Sequence, residues 1–341
     1  MSPLHATISN KADSGAASRA ADVWHGQSRR VRVQEVGMRD GLQIEQAFVP
    51  TAEKIALVDA LSAAGLRKIE VTAFVSPKAI PSLRDAEEVF RGITKAPGCT
   101  YSALVPNVRG AERAIAAGAD ELNLVMSVTE THNLANLRML REQSFAGLRQ
   151  VIDTVGGAVS VSVSLSCCFG CPMEGDVSPG QVFDWVQRFA DLGVVGISLC
   201  DTTGMAYPSQ VHGMASEARR RWPEIDFTLH FHNTRGMGLA NILAGLDAGV
   251  RHFDAALGGL GGCPYAPGAS GNVCTEEVVH ALQLMGYDTG IDLQALLDAA
   301  ARLPALIGHD MPGQLVKAGP RWKTHPPPAD LAEIRQRALE K

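Results

Sequence analysis

The sequence predicts an α/β protein, a (β/α)8 TIM barrel with a short C-terminal helical extension. Two observations lead to this fold class. Eight short β-rich segments alternate with amphipathic helical segments from position 31 onwards, and one kind of helix–glycine–strand junction recurs four times. Eight such units in about 250 residues are what a barrel of this type requires. A doubly wound sheet is the alternative, but no G-x-G-x-x-G motif follows the first predicted strand.

The predicted strands are short runs rich in β-branched and aliphatic residues. They cover 32–37, 67–74, 100–105, 121–126, 159–165, 194–200, 226–232 and 251–257. Apolar residues at three-to-four spacing predict helices between them, most clearly over 51–64, 109–118, 179–192 and 236–248. A further helix is predicted over 292–303, beyond the last strand.

The recurring junction is a helix that ends at a glycine and leads directly into the next strand. It occurs at Gly65, Gly118, Gly193 and Gly249. Glycine adopts the left-handed conformation that ends a helix without steric cost from a Cβ atom. The recurrence therefore indicates one repeated β/α unit.

Composition suggests three regions and a cytoplasmic protein. We expect a disordered N-terminal tail over 1–30, the catalytic barrel over 31–290, and a helical extension and tail over 291–341. The first 30 residues contain no apolar core of the kind that a secretory signal carries. The seven cysteines do not form a short secreted framework, which favours reduced thiols.

Charge and hydropathy argue against two classes of partner. A formal net charge of -5 gives no reason to expect nucleic acid, and no apolar run approaches the roughly 18 residues of a membrane span. The C-C-x-x-C cluster at 167–171 contains zinc-type ligands, but no second cysteine pair completes a four-thiolate site.

The functional groups of such barrels gather at the C-terminal ends of the strands. The first strand runs into Arg39 and Asp40, and the second contains Glu70, which needs a cation such as Arg39 if it points inward. Taken alone, the Arg-Asp pair is equally consistent with a structural ion pair. Asp201, at the end of the sixth strand, either caps the next helix or faces the site.

Two histidines close the seventh strand. His230 and His232 stand at i and i+2, so their side chains face the same side of the strand. With Asp40 from the first strand they could hold one metal ion, and Asn272 could add a neutral oxygen ligand. This donor set has nitrogen and oxygen but no thiolate, which suits Mg²⁺ or Mn²⁺ better than a structural zinc site.

The eighth strand is followed by a loop over 258–272 that is rich in glycine and alanine. That composition gives few packing restraints and suits a loop that closes over a ligand. Cys263, near its tip, is a candidate acid or base.

These residues together resemble the 3-hydroxy-3-methylglutaryl-CoA lyase family, over about 31–300. The resemblance is carried by E-V-G-M-R-D-G-L-Q (35–43), F-V-S-P-K (74–78), F-G-C-P-M-E-G (169–175), D-T-T-G (201–204), H-F-H-N-T-R-G (230–236) and the loop at 258–272. It implies retro-Claisen cleavage of an acyl-CoA substrate to acetyl-CoA and a keto acid, acetoacetate, as in leucine degradation.

The resemblance also implies roles for individual residues. The implied metal ligands are Asp40, His230, His232 and Asn272, and the implied catalytic residues are Arg39, Asp40, Glu70, His230 and Cys263. Arg39 would contact the thioester carbonyl oxygen, and Glu70 would orient Arg39. We expect substrate contacts from Arg39, Gln43, Ser164, Asp201, Thr202 and Glu276. We also expect a homo-oligomer, in the form of a dimer.

The sequence departs from the family pattern near the acyl group. The family has Tyr and Arg where Ser164 and Ser162 stand, Pro at Met38 and Asp at Asn233. The serines enlarge the expected pocket. This leaves open a lyase for citramalyl-CoA or for a longer 3-substituted 3-hydroxyglutaryl-CoA. A Claisen-type synthase of the isopropylmalate kind and a non-catalytic binding barrel are further alternatives.

Overall fold

A computed structural model describes residues 30–262 and 271–340. Eight parallel strands form a closed barrel in the order of the sequence, and β8 pairs with β1. The strands are β1 Arg32–Glu35, β2 Lys68–Ala73, β3 Thr100–Leu104, β4 Glu121–Ser127, β5 Ser160–Ser166, β6 Gly196–Asp201, β7 Asp226–Phe231 and β8 His252–Ala255. The predicted barrel is confirmed, and each strand lies within about two residues of its predicted position.

Helices alternate with the strands and continue beyond them. They are α1 Thr51–Ala63, α2 Ala86–Gly92, α3 Val108–Ala117, α4 Glu130–Leu137, α5 Arg141–Val155, α6 Pro179–Ala190, α7 Pro208–Arg221, α8 Gly238–Asp247, α9 Thr275–Leu284, α10 Leu293–Ala300, α11 Leu303–Ile307, α12 Leu315–Ala318 and α13 Leu331–Leu339. None of the helices described here is long and apolar enough to cross a membrane.

The four predicted glycine junctions all have left-handed backbone. Gly65, Gly118, Gly193 and Gly249 have φ angles of 101°, 96°, 80° and 88°. A residue with a Cβ atom would be strained at each of them. The repeated unit inferred from the sequence is therefore present in the fold.

The strands present different chemistry on their two faces. Residues such as Ile69, Leu122 and Leu229 are fully buried in the hydrophobic core. Buried polar side chains also lie within the strands, and Glu70 and Asn123 form a hydrogen bond across β3. The barrel interior therefore includes hydrogen-bonded side chains.

The C-terminal extension is helical, as predicted. The helix expected over 292–303 corresponds to α10, which Asp292 caps and which ends at Ala300, and a separate short helix, α11, begins at Leu303. The backbone N–H of Asp292 donates to Ala64 at 2.8 Å, and Arg302 pairs with Glu53 at 2.7 Å. Both contacts fasten the extension to the end and the start of α1. The tail predicted over 1–30 lies outside the described residues except for Arg30.

Candidate active site

A tight turn after β1 carries Arg39 and Asp40. β1 ends at Glu35, earlier than predicted, and the chain enters a buried π-helical turn over Gly37–Gly41. A Cβ atom at Gly37 would lie 2.6 Å from a carboxylate oxygen of Glu35, so a side chain at position 37 would force Glu35 to shift. The turn points Arg39 and Asp40 into the mouth of the barrel.

The Arg39 guanidinium is held by two carboxylates. Its Nε donates to Glu70 Oε2 at 2.6 Å and its Nη1 donates to Asp40 Oδ1 at 2.6 Å. Burial lowers the pKa of Arg39, but the two carboxylates together raise it by more than burial lowers it, so the pKa lies above its ordinary value. Arg39 is therefore a cation held in a fixed position.

Asp40, His230 and His232 converge on one point. Each offers a ligand atom, and the three atoms lie within 4.8 Å of one another. Burial alone would raise the pKa of Asp40, but Arg39 and the histidines lower it to well below its usual range. Burial lowers the pKa of His232, which favours the neutral ring that metals bind. Among the described residues, this is the one group of three or more His, Cys, Asp or Glu able to share an ion.

Asn272 completes the group from the far end of the loop after β8. Its backbone forms an antiparallel bridge with His232, and its Nδ2 donates to Asp40 Oδ2 at 2.8 Å. Its Oδ1 is buried and accepts no hydrogen bond from the described part of the chain. A buried carbonyl oxygen without a donor is costly, and a hard cation would satisfy it. The four predicted ligands therefore fit a divalent metal.

Asp254 is a functional candidate that the sequence analysis missed. It lies on β8, and its Oδ2 is 3.2 Å from His230 Nδ1. Burial lowers the pKa of His230, but Asp254 and Asp40 together raise it above its ordinary value. Carboxylates in this position fix the orientation of metal-binding histidines. The signal was present in H-F-D-A-A-L, because an acid within a buried strand needs a partner.

A cavity of about 450 Å³ opens at this cluster. Its polar lining includes Arg39, Asp40, His230 and His232. Aliphatic side chains also line it, namely Val75, Ile80, Leu104, Val105, Val125 and Leu137. The cavity can therefore place a polar reacting centre at the cluster and accommodate a hydrocarbon group.

Comparison with known proteins decides the family. A family model described as HMGL-like matches residues 30–303. The chain belongs to the HMGL-like family. The resemblance inferred from its motifs, and the carbon–carbon lyase class that goes with it, are confirmed.

Relatives of this HMGL-like chain are similar over most of their length. Hydroxymethylglutaryl-CoA lyase YngG of Bacillus subtilis is 43% identical over 287 residues, which cover 84% of this chain and 96% of the relative. Mitochondrial hydroxymethylglutaryl-CoA lyase of Homo sapiens is 43% identical over 272 residues, 80% of this chain and 84% of the relative.

Solved structures of the same kind match in three dimensions. An HMG-CoA lyase from Acinetobacter baumannii, in complex with coenzyme A and 3-methylmalate, has a TM-score of 0.85 and 52% identity. The match covers 88% of this chain and 98% of that one. The carboxyl transferase domain of Rhizobium etli pyruvate carboxylase is 16% identical with a TM-score of 0.65, a likeness of fold alone.

Three of the expected substrate-contacting residues line the cavity of the HMGL-like chain together with Arg39. They are Gln43, Ser164 and Thr202. Gln43 donates to Asp40 Oδ1 at 3.1 Å, and the Thr202 hydroxyl accepts the N–H of Cys167 at 3.0 Å. Ser164 donates to Asn123 Oδ1 at 3.0 Å, an asparagine that the sequence analysis did not single out.

Asp201 and Glu276 do not line this cavity. Cys200 faces the interior, so Asp201, one residue on, faces away and accepts the N–H of Met205 at 2.7 Å. Burial raises its pKa to about 6. Glu276 accepts the N–H of Gly258 and the thiol of Cys274, and burial raises its pKa to about 7. Both carboxylates hold backbone turns, and substrate contact by either residue stays a prediction.

Cys263, the predicted catalytic thiol, lies outside the described residues. Of the six described cysteines, all but Cys99 are buried.

Proposed function

We propose that this HMGL-like chain cleaves 3-hydroxy-3-methylglutaryl-CoA to acetyl-CoA and acetoacetate by a metal-dependent retro-Claisen reaction. The observation that carries the proposal is the convergence of Asp40, His230 and His232 beside Arg39 at the mouth of the barrel. The names of the B. subtilis and human relatives support the same substrate.

The metal ligands are proposed to be Asp40, His230, His232 and Asn272. A divalent cation held there would supply Lewis-acid chemistry that lowers the pKa of the substrate's tertiary hydroxyl. Nitrogen and oxygen donors without a thiolate favour Mg²⁺ or Mn²⁺.

Residues of the chain then accept one proton and stabilise the charge that develops as one pair of electrons moves. Asp40 accepts the hydroxyl proton, the bond between C2 and C3 of the acyl chain breaks, and C3 becomes the ketone of acetoacetate. The bonding electrons pass to the acetyl fragment, whose enolate oxygen develops negative charge. Arg39 lies beside the cluster as a fixed cation and stabilises that charge, while Glu70 keeps it in place.

The last step is protonation of the enolate carbon. We propose that Cys263 supplies this proton from its thiol, which completes the methyl group of acetyl-CoA. A thiol with a pKa near 8.5 is largely protonated at neutral pH and can act as the donor.

A second candidate substrate is another branched 3-hydroxyacyl-CoA, such as citramalyl-CoA or a longer 3-substituted 3-hydroxyglutaryl-CoA. The small side chain of Ser164 and the aliphatic residues that line the cavity leave room for a longer substituent. The structure of the related A. baumannii lyase contains coenzyme A and 3-methylmalate, a hydroxy-dicarboxylate, and this is consistent with a substrate of this kind.

Other attributes of the enzyme are proposed from the sequence. They are a cytoplasmic location, a homodimer and a place in leucine degradation. Light scattering on the purified protein measures the oligomeric state.

Product analysis tests the proposed function. Purified enzyme with Mn²⁺ is incubated with each candidate thioester, and acetyl-CoA and the keto acid are quantified by mass spectrometry. We expect equimolar acetyl-CoA and acetoacetate from 3-hydroxy-3-methylglutaryl-CoA, and none with His230→Ala. Higher kcat/KM for citramalyl-CoA would favour the second candidate, and no acetyl-CoA from any thioester would refute the lyase assignment.

A further inference from the structure

Glu70 is a fully buried carboxylate in the barrel interior, so each of its oxygens needs a partner. Arg39 donates to Oε2. The other oxygen, Oε1, accepts Nδ2 of Asn123 at 2.7 Å. Glu70 is on β2 and Asn123 is on β4, so this hydrogen bond crosses the interior past β3.

Ser164 fixes which way the Asn123 amide faces. Its hydroxyl, on β5, donates to Asn123 Oδ1 at 3.0 Å. With the carbonyl oxygen engaged there, the amide nitrogen must face Glu70. A flipped amide would place its carbonyl oxygen against the carboxylate, where both groups are acceptors. The three residues and Arg39 thus form one continuous chain of hydrogen bonds.

This chain ends at the group that is proposed to meet the enolate. Arg39 has a second anchor in Asp40, but Asp40 also belongs to the metal cluster. Glu70 is therefore the anchor that can hold the guanidinium independently of the metal, provided that Glu70 itself does not tilt. Asn123 prevents that tilt. Buried networks of this kind are effective only when every member is satisfied.

We propose that Asn123 is a positioning residue for the reaction, acting through Glu70 on Arg39, and that Ser164 orients it. Asn123 is not among the residues that line the cavity, so it acts without touching the substrate. The inference rests on the proposed function, and it changes the expected role of Ser164 from a substrate contact to an orienting donor.

The test is the variant Asn123→Leu, which keeps the size of the side chain and removes both hydrogen bonds. Displacement of a catalytic group by about 1 Å can cost about 100-fold. We expect kcat to fall about 10- to 100-fold, with KM and Mn²⁺ affinity within about twofold of wild type. Asn241→Leu is the matched control, because Asn241 is also a buried asparagine but donates to Ala206 away from the cavity. It should keep kcat.

A double variant distinguishes a positioning role of Asn123 from a general loss of structure. In a Glu70→Gln background, Asn123→Leu should lower kcat by less than about twofold, because both changes interrupt the same chain. The proposal would be overturned if the two losses in kcat multiplied in the double variant. It would also be overturned by an unchanged kcat in Asn123→Leu, or by an equal loss of kcat in Asn241→Leu.

A second pair of variants covers a failure of Asn123→Leu to fold. Ser164→Ala should also lower kcat, but by less than Asn123→Leu does. Ser164→Thr, which keeps the hydroxyl, should have a kcat near that of wild type. An unchanged kcat in Ser164→Ala would refute the orienting role. Absence of acetyl-CoA from the wild-type enzyme would instead refute the proposed function, so the two failures are distinguishable.

Discussion

The side-chain amide of Asn272 donates a hydrogen bond to Asp40 at 2.8 Å, although the two residues are 232 positions apart in the chain. The contact joins the end of the glycine-rich loop to the turn after β1. It also turns the amide nitrogen towards Asp40 and leaves the carbonyl oxygen buried without a donor from the described residues.

Asn272→Leu should weaken metal binding. The variant removes the proposed oxygen ligand and the hydrogen bond that orients Asp40, and changes around metal sites typically cost about 10- to 100-fold in affinity. The Mn²⁺ affinity is measured by calorimetric titration of protein from which a chelator has removed the metal, and Asn241→Leu serves as the control. Equal Mn²⁺ affinity for Asn272→Leu and wild type would exclude Asn272 as a ligand.

Arg39→Gln should lower kcat by at least about 10²–10³, since loss of one donor to a developing oxyanion has that effect and Arg39 is also charged. The control is Arg188→Gln, because Arg188 forms an exposed pair with Glu142. It should retain wild-type kinetics. If Arg39→Gln kept more than about a tenth of wild-type kcat, Arg39 would be structural.

Cys263→Ser should lower kcat steeply and leave substrate affinity nearly unchanged, because a hydroxyl has a far higher pKa than a thiol and is a poorer proton donor. Alkylation offers a second measurement. Among the described cysteines only Cys99 is partly exposed, so Cys99→Ser removes that competing site.

We expect iodoacetamide to inactivate Cys99→Ser as fast as wild type, and a bound substrate analogue to slow the reaction. Wild-type turnover in Cys263→Ser would remove Cys263 from the mechanism.

Glu35 predicts a pH dependence of stability. It accepts hydrogen bonds from Gly37, Leu257 and Thr275, and burial raises its pKa to about 8. The folded state therefore binds this proton more tightly than the unfolded state. The stabilisation is complete below about pH 4.5 and is lost as pH rises through about 8.

Glu35→Gln should accordingly show a smaller fall in Tm than wild type between about pH 5 and pH 8. Glu217→Gln should follow the wild-type slope, because exposed Glu217 has its pKa lowered to about 2 by Arg220 and Arg221 and does not titrate in that range. Parallel curves for Glu35→Gln and wild type would contradict the assignment.

Much of the fold could be read from the sequence because its signals are local. Strand runs and glycine junctions such as Gly65 and Gly118 are set by neighbouring residues, and all eight strands were predicted. The grouping of Asp40 with His230 and His232 followed from strand ends that share one rim of the barrel.

Other parts of the site depend on partners that no local pattern identifies. Asp254 pairs with His230 on the neighbouring strand β7, and Asn123 pairs with Glu70 on β2 and Ser164 on β5. The resemblance implies substrate contacts from Asp201 and Glu276, but neither residue lines the cavity, and both accept hydrogen bonds from backbone N–H groups.

The central claim is that one metal ion at Asp40, His230, His232 and Asn272 enables the cleavage. Chelated enzyme is titrated with Mn²⁺, and bound metal and acetyl-CoA release are measured in the same samples. The account predicts no turnover after chelation, a linear recovery that is complete at one ion per chain, and neither binding nor recovery in His232→Ala. The exposed-residue control His212→Ala should behave as wild type. Full turnover by metal-free enzyme, or wild-type recovery in His232→Ala, would contradict it.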